Sequence, residues 1–168
     1  MGQPHPIRRG RFPAPILALA ATLAALTPAP SPAAILINEI FPNPVGSETG
    51  PQEKVEIYNS GPGAVDLTGW AIDDAATIGN ISIRAGFPEH LDPACSTNPV
   101  IQPGEFRVIF MGTGSAVLNN TGDNVYLVSD RLAIATVVHT VTFPGTVGED
   151  QSWACVPNGT SSLSLIHI

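Results

Sequence analysis

Positive charge is scarce in this sequence. Its 168 residues hold only 7 Lys and Arg against 14 Asp and Glu, a formal net charge of −7. Such a surface repels phosphate backbones and no basic stripe reverses it locally, so direct nucleic-acid binding is not expected. Cysteine is nearly absent: there are 2, neither in a C-x-x-C pair, so a zinc site would lack thiolate ligands. Neither G-x-x-x-x-G-K-S/T nor G-x-G-x-x-G occurs, which leaves no glycine loop to cradle a phosphate. No G-x-S-x-G elbow is present to set an activated serine beside a base. The apolar run Ile16 to Leu26 is too short to cross a bilayer of about 30 Å, so no transmembrane helix is expected in the mature chain.

That run has another reading. Arg8, Arg9 and Arg11 precede it, and the Pro- and Ala-rich stretch Thr27 to Ala34 follows it. A basic start, a short apolar centre and a small-residue exit are the parts of a secretory signal peptide, expected over residues 1–33 with cleavage after Ala33 or Ala34. The mature part then keeps four basic residues, Lys54, Arg84, Arg107 and Arg131, against all 14 acidic ones, a net charge of −10. A secreted or extracytoplasmic location, at the cell surface or in the periplasm, is the corresponding expectation.

What remains is patterned as strands. In Glu53 to Asp74, Val55 and Ile57 alternate with Lys54, Glu56 and Tyr58, the period of a strand with one buried and one wet face. Asn59 to Gly63 breaks it with turn residues. A second strand is expected over Val65 to Asp73, with the Trp70 ring buried between two sheets. Ile35 to Phe41 reads as an earlier strand stopped by Pro42-Asn43-Pro44, and Asn80 to Arg84 as a short later one. Gly86, Pro88, Pro93, Pro99 and Pro103 leave no regular element between Ala85 and Pro103. Strands resume at Phe106–Phe110, Val125–Asp130 and Leu132–Phe143, where Val137, His139, Val141 and Phe143 share a side. Short strands with frequent turns and no helical period predict an all-β antiparallel sandwich in a single domain over 34–160.

Three clusters carry a resemblance. Asn38-Glu39-Ile40, then Val55-Glu56-Ile57-Tyr58-Asn59, then Asp66-Leu67-Thr68-Gly69-Trp70 with Asp73, resemble the hallmark of the lamin-tail domain family. Gln102-Pro103-Gly104-Glu105, Leu118-Asn119-Asn120-Thr121-Gly122-Asp123, Ser152-Trp153 and Val156-Pro157-Asn158-Gly159 resemble its turns and closing segment. The resemblance implies an immunoglobulin-like sandwich of the bacterial secreted type, in which Asn38, Glu39, Glu56, Asn59, Leu67, Gly69, Trp70 and Trp153 are structural hallmarks. Ala85 to Pro103 then counts as an insertion, and Cys155 as a departure from an expected arginine. Two unusual cysteines, Cys95 and Cys155, are expected to meet in a disulfide, which an oxidising compartment would preserve. Closing a loop of about sixty residues would stabilise the fold by roughly 4 kcal/mol.

The final residues, Leu163 to Ile168, resemble an in-frame translation of a sequencing adapter and continue no strand pattern. They are expected to be foreign to the domain, with natural sequence lost after Ser162.

Carboxylates are the main chemical resource. Asp66, Asp73 and Asp74 are the candidate calcium ligands, but the D-x-D-x-D-G spacing is missing and they read first as loop charges. Asp66, beside a turn, is expected to cap backbone N–H groups, and His139 to be a packed, hydrogen-bonded histidine. No catalytic or cofactor-binding residue is predicted. The leading expectation is a non-catalytic accessory or tethering module, whose partner is a protein, a glycan or a membrane surface. Competing readings are the N-terminal module of a truncated secreted nuclease or phosphoesterase, and a calcium-dependent adhesion module.

Overall fold

The computed structural model describes residues 1–2, 35–46, 52–74, 85–111, 117–130 and 135–167. The leader expected over 1–33 and the strand expected over Asn80–Arg84 lie outside them. Eleven strands are found among the described residues: β1 (Ile35–Asn43), β2 (Lys54–Asn59), β3 (Val65–Asp66), β4 (Ala71–Asp73), β5 (Ala85–Gly86), β6 (Val100–Ile101), β7 (Phe106–Phe110), β8 (Gly122–Ser129), β9 (Thr136–Pro144), β10 (Gln151–Cys155) and β11 (Leu163–His167). They form a five-stranded sheet in the order β11-β10-β1-β2-β7, a four-stranded sheet β5-β4-β8-β9 and a small ribbon β3-β6. All of these pairings are antiparallel. No helix among the described residues is long and apolar enough to cross a membrane.

The alternation in β2 decides its two faces. Val55 and Ile57 are fully buried while Lys54, Glu56 and Tyr58 are half-buried on the outer side. β1 matches this through a bulge. Ile37 pairs with Ile57 and Glu39 with Glu56, which leaves Asn38 as the extra residue. The extra residue resets the parity, so Glu39 points outward and Ile40 inward. The Asn-Glu-Ile hallmark is therefore the bulge itself. Pro42 does not stop β1 as expected. It lies inside the strand where the pairing to β10 slips between Ile40 and Asn43, a place where a missing N–H costs no ladder bond.

From the second sheet, β8 contributes buried Val125 and Leu127, and β9 contributes Val141 and Phe143. At about 2 kcal/mol for each large aliphatic side chain removed from water, this shared interior is the main stabilising feature.

The strand expected over Val65 to Asp73 is broken in two. Trp70 N–H donates to the Leu67 carbonyl at 2.9 Å, and Gly69 takes φ 82°, a left-handed value suited to glycine. The intervening turn carries β3 to a separate ribbon. It also leaves Trp70 only partly buried at the edge of the core, not enclosed as the sequence predicts. Leu67, Ile72 and Phe87 fill that region instead.

The insertion is more regular than its prolines suggest. It supplies β5 and β6, and Leu91 forms an isolated bridge with Ile109. Phe110 N–H donates to the His90 carbonyl at 2.9 Å and Asp92 N–H to the Val108 carbonyl at 2.8 Å. These bonds cover the free edge of β7, which would otherwise offer unpaired backbone to another chain. Finally, Leu163–His167 pairs in continuous register with β10, from Cys155 opposite Leu163 to Gln151 opposite His167. A segment read as continuing no pattern is thus an edge strand.

Candidate functional site

A cleft of about 360 Å³ opens on the outer face of the five-stranded sheet, lined by Glu39, Phe41, Lys54, Glu56, Asp92, Ala94, Cys95 and Val108. Strand register builds its floor. Glu39, Glu56 and Val108 stand in one row across β1, β2 and β7, and Phe41, Lys54 and Phe110 in the next. The insertion supplies the wall from Asp92 to Cys95. Asp92 Oδ1 holds that wall by accepting the Ala94 N–H at 2.8 Å.

The cleft is electrically uneven. Lys54 Nζ donates to Asp92 Oδ2 at 3.2 Å and lies 5.4 Å from the Phe110 ring centroid, so one end is internally neutralised. At the other end Glu39 and Glu56 face each other across the ladder. Their donors are uncharged: Asn38 Nδ2 reaches Glu56 Oε1 at 2.9 Å, and Ser152 Oγ reaches Glu39 Oε1 at 2.6 Å. Burial raises the Glu56 carboxyl above its ordinary range; the Asn38 bond opposes this and the Glu39 charge adds to it.

The other hallmark polar residues are structural ties. Fully buried Asn59 donates through Nδ2 to the carbonyls of Gly63 (2.8 Å) and Ile101 (3.1 Å), and its Oδ1 accepts the Gly61 N–H at 3.0 Å. Asn38 Oδ1 accepts the Gly159 N–H at 2.9 Å, tying the bulge to the turn after β10. Asp66 caps its turn as expected, accepting the Thr68 N–H at 2.9 Å, and these bonds lower its pKa. Trp153 packs against the core from β10.

Two buried ionic residues escaped the sequence reading. Glu53, fully buried, accepts the N–H groups of Val117 (2.7 Å) and Leu118 (3.2 Å) through Oε2. Arg107 ties the insertion down, donating to the carbonyls of Asn98 (2.9 Å) and Val100 (2.7 Å) and to Glu105 Oε2 (3.0 Å). Glu53 stands just before a strand, where a charge normally meets water, and its partners lie more than sixty residues away. Only the folded loops reveal either role.

The disulfide expected between Cys95 and Cys155 is not formed; both are free thiols. The two lie on opposite faces of the five-stranded sheet. Cys95 is exposed in the outer cleft, whereas Cys155 is buried in a recess of about 130 Å³ shared with His139. Burial raises the Cys155 thiol above its usual range and lowers the His139 imidazole below its own, so each favours its neutral form. The calcium candidates are not gathered either: Asp66 is exposed, Asp73 fully buried in β4, and no group of three His, Cys, Asp or Glu among the described residues could hold a metal ion.

An all-antiparallel sandwich closed by polar loop ties is an immunoglobulin-like architecture. Residues 28–143 match the lamin tail domain family, and the chain belongs to it. Comparison with curated proteins and with solved structures gave no match. β10, which carries Ser152 and Trp153, lies beyond the matched residues yet pairs directly with β1.

Proposed function

We propose that this chain is a non-catalytic accessory or tethering module that works outside the cytoplasm. The observation that carries the reading is how the hallmark polar groups are used. Asn38 and Asn59 hold loops to the sheet, and burial in the inner recess shifts His139 and Cys155 toward their neutral forms, so these polar groups serve packing and loop anchoring. The basic–apolar–small leader and the acidic mature composition support export. Expression of the full chain in a bacterial host, with cell fractionation and N-terminal sequencing, tests the location. The expected product is extracytoplasmic and begins near Ile35. The same preparation should turn over neither nucleic acid nor simple phosphoesters; turnover that survives repurification would contradict the non-catalytic reading.

A further inference from the structure

The outer cleft offers a specific kind of complementarity. Glu39 and Glu56 are directly opposite in the β1–β2 register, which places their Cβ atoms about 5 Å apart. Both carboxylates are met by neutral donors, on a protein whose net charge is already −7. Phe41, Val108 and Ala94 give the same cleft apolar sides. At its far end the protein already places one cation in such a setting, Lys54 against Asp92 and the Phe110 ring. We infer that the cleft is a docking site for a lysine or arginine side chain of a partner polypeptide, with the cationic head between Glu39 and Glu56 and the aliphatic stem along Phe41 and Val108.

Several features decide for a basic side chain over other occupants. A long cationic side chain buries its methylenes on apolar surface while its head stays polar, which matches a cleft with both kinds of wall. A second cation between the carboxylates also relieves the repulsion that helps raise Glu56, so binding is favoured with both groups ionised. Lys54, Asp92 and Cys95 are the other titratable groups lining the cleft; the first two already neutralise each other. An anionic lipid surface or phosphate would instead meet like charge.

The inference rests on the accessory reading, and its test separates the two. The probe is a fluorescent twelve-residue peptide with a single central arginine, compared with its glutamine counterpart. The Glu39→Gln/Glu56→Gln double variant keeps the oxygen acceptors for Ser152 and Asn38 while removing both charges, and its fold is checked by circular dichroism and thermal melting. A Glu149→Gln/Asp130→Asn variant controls for overall charge. The cleft variant should bind about tenfold or more weaker than the charge control, the difference shrinking as salt rises. Bound peptide should also slow alkylation of Cys95 without changing Cys155. Equal weakening in both variants, no preference for the arginine peptide, unaltered Cys95 reactivity, or binding of a neutral oligosaccharide in its place would overturn the proposal. Each of these outcomes leaves the non-catalytic reading standing, because only substrate turnover bears on that.

Discussion

Ile37 donates its backbone N–H to Nδ1 of His139 at 3.1 Å, from β1 of one sheet to β9 of the other. The bond needs an unprotonated Nδ1, and burial lowers the imidazole pKa below its ordinary 6.5. The unfolded chain therefore takes up a proton first as pH falls. This contribution to stability is complete above the ordinary pKa and declines as pH drops below it. Urea unfolding at steps from pH 7.5 to 5.5 should show declining stability in the wild type and a flatter profile in His139→Gln. Identical profiles would contradict the assignment.

Glu53 makes a sharper case for stability. Glu53→Ala would leave the buried N–H groups at positions 117 and 118 without their carboxylate acceptor. Each unsatisfied buried donor costs about 1–3 kcal/mol, so a loss of about 3 kcal/mol is expected by chemical denaturation. Glu53→Gln should lose less, because one oxygen acceptor remains. A loss for Glu53→Ala within about 0.5 kcal/mol, the range of ordinary surface changes, would contradict the role assigned to it.

Asn59→Asp is nearly isosteric, yet it would aim a carboxylate oxygen where an amide now donates to the carbonyls of Gly63 and Ile101. The expected cost is about 3 kcal/mol or more, and the variant should recover stability at a pH low enough to protonate the new acid. Thermal melts of Asn59→Asp and Asn59→Ser at two pH values check this. Equal stability in the two variants at every pH would be inconsistent with the geometry.

The thiols give a chemical test of the fold. Without reductant, the native protein should show one rapidly alkylated cysteine, Cys95, and a second, Cys155, that reacts only on unfolding. Mass analysis showing a species lighter by two hydrogens and refractory to alkylation would restore the bridge and reject the separation of the two thiols.

Much of this architecture is legible in the sequence, and the exceptions have identifiable causes. The inner and outer faces of β2 follow from the alternation of Lys54 to Tyr58, because a half-buried strand writes its period into side-chain type. Asp66 could be read as a cap because its partner, Thr68, is two residues away. Trp70 could not be placed, since its exposure depends on a turn at Gly69 and on Phe87 arriving from the insertion. Nor could the insertion's short strands: they exist through pairing with distant residues, and their own proline-rich sequence argues against them. The candidate cleft was hidden for the same reason. Glu39 and Glu56 stand in two different hallmark motifs, and only the bulge at Asn38 brings them opposite each other.

The central claim is that the polar side chains Asn38 and Asn59 of the hallmark motifs, together with Glu53, lock loops onto a sandwich. Four backbone amides outside the strands report on it directly: Gly61 held by Asn59, Val117 and Leu118 by Glu53, and Gly159 by Asn38. Native-state hydrogen exchange should find all four protected close to the level of the core strands, although loop amides usually exchange freely. Exchange of these amides at the rate of an open loop, with the core strands still protected, would contradict it.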